Sequence, residues 1–332
     1  MPATTLDSMT RPTSDATARL GALAETLRTA ALTVLWRQWR AVGGQTATRG
    51  AAQAIVDPEA LVLQSLAMTE NEPRLADILH DWTLLNSDLL SVQRLKNLAP
   101  AYTKETAERL AWLARVVTVE VKDLRWRSLC ADDPVNRSAA GSDPEIRTNK
   151  RRAIRVRPEA PATLALRLRL GFGVGAKADV LTFLIGTSGD GATVREIAGA
   201  TGYTVAAVRR AAEDMAAAAL LHVTAEQPVK FRADSDAWGE VLGVAGEVPP
   251  WGHWQARFAF VAAFLAWEAD ARARPVTAYV LGVKGRELLE RHKHAFERDR
   301  VVVWSEHTAI PDGAAFVNET VRKLAKWMVE NS

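Results

Sequence analysis

The side chains with most chemistry to offer are cations on one short stretch. Arg209 and Arg210 are adjacent in VAAVRRAAEDMAAAALL, Thr193 and Arg195 precede them, and Lys230 and Arg232 follow in PVKFR. A guanidinium fork matches phosphate oxygens and the O6/N7 edge of guanine, and a lysine serves a phosphate as a point charge. Tyr203, Thr204 and Ala207 share the early part of the same stretch; the Thr204 hydroxyl can cap a helix or contact a phosphate, and capping is the stronger reading. A second basic run holds Lys150, Arg151, Arg152, Arg155 and Arg157. It suits a phosphate backbone, each neutralised phosphate adding affinity and salt dependence, or it is an exposed loop with solubilising charge. Arg167 and Arg169 extend it. The many alanines around Arg209 leave few groups for reading bases by hydrogen bond.

Other chemistries are poorly supplied. GFGVGAK, residues 171–177, lacks the spacing and the hydroxyl of a nucleotide-phosphate loop and reads as a hinge. Of the six histidines, only His292 and His294 are close, and two residues apart on a helix they point to different faces. Cys130 is the single cysteine and no H-E-x-x-H occurs, so no metal site is expected. No G-x-S-x-G or paired nucleophile and base stands out, and the Asp132-Asp133 pair sits in loop-like sequence. The expectation is a protein that is not an enzyme and needs no cofactor.

The elements that would position the cations are legible. Residues 192–232 predict a helix, a tight turn, a second helix and a short hairpin. Ala198 allows close helix crossing, Gly202 suits a left-handed turn, Thr204 caps the second helix, and Val208 points back at Ile197. This is helix-turn-helix spacing. Val223, Val229 and Phe231 alternate as candidate inward positions of the hairpin. From Gly175 to about Gly243, roughly a fifth of the chain, the sequence resembles winged helix-turn-helix regulators of the MarR and ArsR type. Those families usually carry Gly where this chain has Ala219. The resemblance implies double-stranded DNA as partner, base contacts from Tyr203, Thr204, Ala207, Arg209 and Arg210 early in the second helix, backbone contacts from Thr193 and Arg195, and phosphate or minor-groove contacts from Lys230 and Arg232. It also implies a homodimer placing two such helices about 34–36 Å apart. Winged helices also serve as protein-interaction modules, so an adaptor or an antitoxin-like partner is the alternative. A protein partner or a small-molecule effector fits either reading.

At 332 residues, with 48% hydrophobic and 24% charged residues, the chain can hold two or three domains with real cores. A net charge of +3 permits nucleic-acid binding without demanding it. A lone cysteine, no signal-like N-terminus and no bilayer-length apolar run predict a soluble cytoplasmic protein with no membrane contact.

The expected fold is mainly α, a central winged helix-turn-helix with a small hairpin wing, flanked by N- and C-terminal helical domains. Residues 1–17 read as a disordered tail and 18–121 as an N-terminal helical domain, with helix starts at Asp57-Pro58 and Glu72-Pro73 and a cap at Ser91. Within it LLSVQRLKNLA echoes GYTVAAVRRAA. Either residues 57–121 hold a second, degenerate helix-turn-helix, or they are a plain bundle with Arg94 and Lys96 on a solvated face. Residues 122–160 read as a basic linker or long loop, 161–248 as the winged domain and 249–332 as a C-terminal helical domain. There Trp251, Trp254, Phe258, Val261 and Phe264 form one apolar stripe, suited to a core, a dimer interface or a ligand cleft, with Trp304 and His307 in a loop.

Overall fold

A computed structural model describes residues 14–47, 50–130, 155–156, 158–187, 189, 191–244, 246, 248–273, 277–297, 301 and 313–332. These residues are mainly helical, with one two-stranded antiparallel sheet. They fall into two compact units, Met1–Leu35 with Ala256–Ser332, and Trp36–Gln255.

The Trp36–Gln255 unit holds the elements of interest. Helix α1 (Ser14–Ala41) ends within it. Helix α2 (Pro58–Met68) starts as its sequence demands, with the Asp57 carboxylate accepting from the Ala60 N–H at 3.2 Å and Pro58 in the first turn. Apolar nearly all round, α2 is buried along almost its whole length. Helices α3 (Pro73–Asn86), α4 (Val92–Leu98) and α5 (Lys104–Val116) surround it. Ser91 caps α4 through the Arg94 N–H. Further on come α6 (Leu164–Phe172), α7 (Ala176–Gly186), α8 (Val194–Thr201) and α9 (Val205–Ala217). Strands β1 (His222–Val223) and β2 (Phe231–Arg232) pair in the register Val223 to Phe231, and α10 (Ser235–Val241) follows. Ala192 bridges Phe231, which ties the hairpin to the start of α8.

One hydrophobic core joins these later elements. Val180, Leu181, Phe183, Leu184 and Ile185 of α7 pack with Ile197 and Ala198 of α8 and with Val208, Ala211, Ala212 and Met215 of α9. Burial of each of the larger aliphatic side chains stabilises the unit by about 1.5–3 kcal/mol. Gly186 marks the tightest approach. A Cβ there would lie 2.6 Å from the Ile55 side chain, and its carbonyl accepts from the Trp251 N–H at 2.9 Å.

In the Met1–Leu35 with Ala256–Ser332 unit, α11 (Trp254–Ala273) supplies Phe258, Phe260 and Phe264, all fully buried. Helix α12 (Ala278–Arg291) packs on α14 (Gly313–Glu330), and α13 (His294–Glu297) brings Phe296 to 4.8 Å from Phe260. The Arg257 guanidinium lies 3.5 Å over the Trp327 ring. Most of the apolar stripe is therefore core. Trp251 and Trp254 belong to the other unit, where Trp254 donates to the Ile55 carbonyl at 3.1 Å. Trp304 and His307 lie outside the described residues.

Several expectations need correction. Residues 14–17 of the expected tail are the first turn of α1. Residues 36–121 and 161–248, expected in separate domains, share one unit. In the hairpin, Phe231 turns inward, but Val223 and Val229 are 51% and 37% exposed. Of the two-residue strands, only Phe231, which bridges Ala192, enters the core.

A candidate nucleic-acid interface on α8, α9 and the hairpin

Helix α8 begins with a reciprocal cap. The Thr193 hydroxyl accepts from the Glu196 N–H at 3.3 Å, and the Glu196 carboxylate accepts from the Thr193 N–H at 2.8 Å. It ends at Gly202, whose φ of 74° lets the chain turn without a Cβ penalty. Thr204 then caps α9 by accepting from the Ala207 N–H at 3.2 Å. Helix α9 closes without the expected glycine. Ala219 takes a φ of 58°, and the Leu220 N–H reaches back to the Met215 carbonyl at 2.9 Å.

The period of α9 sorts its side chains. Val208, Ala211, Ala212 and Met215 face the core, so Ala206, Arg210, Glu213 and Ala217 lie opposite, with Arg209 and Val205 at one edge. Arg195, Arg209, Arg210, Lys230 and Arg232 are all exposed, and none has an ion-pair partner among the described residues. Asp214 is neutralised by Lys177 at 2.8 Å. Lys230 sits beside the start of α8, its Cβ 3.2 Å from the position a side chain on Gly191 would take. α8, α9 and the hairpin, which share one core, thus carry five exposed cations without ion-pair partners among the described residues.

Not every predicted contact is free to serve. Tyr203 is the clearest correction. Its hydroxyl donates to Asp179 at 2.9 Å and lies 3.1 Å from the Ser91 hydroxyl. Burial, and then the Asp179 carboxylate, push its pKa up. The Thr193 and Thr204 hydroxyls are engaged in caps, and Ala207 is half-buried. Arg155 is exposed but paired with Asp88 at 2.7 Å. Lys150, Arg151, Arg152 and Arg157 lie outside the described residues.

Tyr203 belongs to a buried ionic cluster that sequence reasoning missed. Arg94 of α4 sends Nη2 to Asp57 at 2.6 Å, Nη1 to Glu59 and Nε to the Thr201 carbonyl at 2.6 Å. Arg169 of α6 grips Glu59 at 2.7 and 2.9 Å and Asp179 at 2.8 Å through two nitrogens. Expected on a solvated face and in a basic run, Arg94 and Arg169 are only 1% and 0% exposed at the side chain. Two guanidiniums could enter the interior because three carboxylates receive them there. Burial alone would raise the Glu59 pKa, but Arg169 and Arg94 outweigh it and hold it below the ordinary range. The cluster bonds α2 and α4 to α6, α7 and the α8–α9 turn. It ties the first helices of the Trp36–Gln255 unit to its later ones.

A cavity of about 450 Å³ opens beside Leu84, Leu85, Asp88, Val121, Arg125 and Arg155. Its ionic groups are matched to one another, Asp88 with Arg155 and Asp123 with Arg125 at 2.6 Å, so its walls hold no unpaired charge for a ligand. Among the described residues, no group of three or more His, Cys, Asp or Glu side chains could hold a metal ion, and no helix is long and apolar enough to cross a membrane. Comparison of the chain with protein-family models, curated proteins and solved structures gives no match.

Proposed function

We propose that the chain is a transcriptional regulator that binds double-stranded DNA, with α7, α8, α9 and the hairpin acting as a winged helix-turn-helix. One observation carries the reading: five exposed cations without ion-pair partners among the described residues, Arg195, Arg209, Arg210, Lys230 and Arg232, sit on the two helices and the hairpin that such a module lays against a duplex. In this reading α9 enters the major groove with Arg209 and Arg210, and Arg195 meets the backbone beside the α8 N-terminus. Lys230 and Arg232 reach the flanking phosphates. Two copies read two half-sites, about 34–36 Å apart. Thr193, Thr204 and Tyr203 hold the module's shape rather than touch DNA.

A specific observation favours a second reading, a protein-interaction adaptor. Val205 at the start of α9 and Val223 and Val229 in the hairpin are exposed, and exposed aliphatic groups suit a protein partner better than phosphates. Charge reversal separates the two. Arg210→Glu and Lys230→Glu should each lower affinity for labelled duplex at least tenfold in fluorescence anisotropy, with Lys284→Glu, on α12, as control. Equal loss, or no loss, in all three would refute the DNA reading.

A further inference from the structure

Helix α9 is short of reading groups. Apart from Arg209, Arg210, Glu213 and Asp214, the last paired with Lys177, its outward positions are Val205, Ala206 and Ala217. Hydrogen-bonding groups gather instead beside its N-terminus, on α4. Asn97 donates from Nδ2 to the Gly202 carbonyl at 2.8 Å, in the turn that leads into α9. Its Oδ1 accepts from Gln93 Nε2 at 2.9 Å, one helical turn back. Both bonds together fix which way each amide points. Both residues are exposed. Among the described residues the Gln93 amide oxygen and one of its N–H groups have no partner, which leaves an acceptor and a donor in one plane. That is the complement of the N6–H and N7 groups that adenine shows in the major groove.

The placement is rigid. Arg94, between Gln93 and Asn97, anchors α4 through Asp57, Glu59 and the Thr201 carbonyl. Leu98 packs at 3.0 Å from where a Gly202 Cβ would stand. A third amide closes the group: Gln255 donates to the Gly199 carbonyl, and its Oε1 lies 3.0 Å from the same Gly202 position with no partner. A hydrogen-bonding side chain held this way loses little freedom on binding, which is what base readout requires.

We infer that Gln93 is a base-reading residue for duplex DNA, specific for adenine in the major groove, and that Asn97 is its positioning residue. The inference rests on the DNA-binding reading above. It assigns to α4 the readout that the alanines of α9 cannot supply, and it gives LLSVQRLKNLA a role beside the turn of GYTVAAVRRAA.

The test uses the full chain, a randomised duplex pool to find the preferred site, and then single-base variants of that site. Gln93→Ala should bind the site about tenfold more weakly, lose its preference at one A·T pair and keep the wild-type salt dependence. Asn97→Ala should weaken the same preference without moving it to another base, a change that general loosening of the fold would not confine to one position. If wild type selects a site and Gln93→Ala retains both affinity and preference, the inference is overturned while DNA binding stands. Binding weakened by the same factor on every single-base variant, with the preference unchanged, places Gln93 on the sugar-phosphate backbone and overturns it too. Tighter binding by either variant would mean that α4 shields the helix from DNA, and this also overturns the inference. If wild type binds no duplex at low salt, both the inference and the reading beneath it fall.

Discussion

Replacing Arg94 by Met tests whether the buried ionic cluster holds the helix pair in place. The guanidinium serves Asp57, Glu59 and the Thr201 carbonyl, with about 1% of its side chain exposed. Met fills similar space but bonds none of them. Glu59 keeps Arg169 as partner, so the loss falls on Asp57 and on the Thr201 carbonyl. Two buried acceptors left unsatisfied cost about 1–3 kcal/mol each, more for the charged one. Breaking one side of a buried ion pair costs about 3–5 kcal/mol. The two routes agree on about 4 kcal/mol. With a urea dependence of about 3 kcal/mol per molar, the midpoint should fall by about 1.3 M. Since the chain has two units, the transition should be read from amide exchange of α8 and α9 across a urea series. Arg94→Lys keeps the charge but loses the fork, and should fall in between. A loss under about 1 kcal/mol in Arg94→Met would refute the reasoning.

Three further outcomes follow from the same geometry. The Glu59 pKa is held below its ordinary 4.5 in the folded chain, so its contribution is complete above that value and lost as pH falls through the folded value. Stability should therefore drop on acidification below about pH 4.5, and Glu59→Gln should flatten that acid limb in pH-dependent urea unfolding, although less stable at neutral pH. Ala219, at a φ of 58°, carries a left-handed strain that glycine relieves. Ala219→Gly should stabilise the chain by about 0.5–1 kcal/mol in thermal unfolding, and a lower melting temperature would contradict the helix end described. Gly186→Ala would place a Cβ 2.6 Å from the Ile55 side chain. It should destabilise by about 1–3 kcal/mol, and a neutral result would mean that this approach is looser than described.

The local frame of the candidate site was legible because it is written in short-range chemistry. Asp57-Pro58, Ser91, Gly202 and Thr204 announce caps and turns that depend only on neighbours a few residues away, and each is where its sequence places it. The ionic cluster was not legible, because Arg94 meets Thr201 across more than a hundred residues. Yet its parts carried a signal. Asp179 stands in AKADVLTFLIG, a helix apolar on nearly every side, and a carboxylate there requires a buried cation. Arg169 alternates with leucines in LRLRL, so one of its two arginines had to face inward. Tyr203 was misplaced for the same reason. Its position in the turn suggested exposure, and only the tertiary partner Asp179 makes it structural. Ala219 runs the other way. The Leu220 bond back to Met215 closes the helix through a left-handed Ala219, at a position that local preference would give to glycine.

The most direct test of the DNA-binding account is the salt dependence of duplex binding by the full chain, beside Arg209→Ala/Arg210→Ala. Each phosphate neutralised contributes about 0.9 to the slope of log affinity against log salt. If Arg195, Arg209, Arg210, Lys230 and Arg232 each meet one phosphate or its equivalent, the slope per chain should be about −4 to −5. The double variant should bind more weakly and lose up to about 1.8 of that slope. Binding that ignores salt, or a double variant indistinguishable from wild type, would contradict the account and turn attention to the exposed valines as a protein-docking surface.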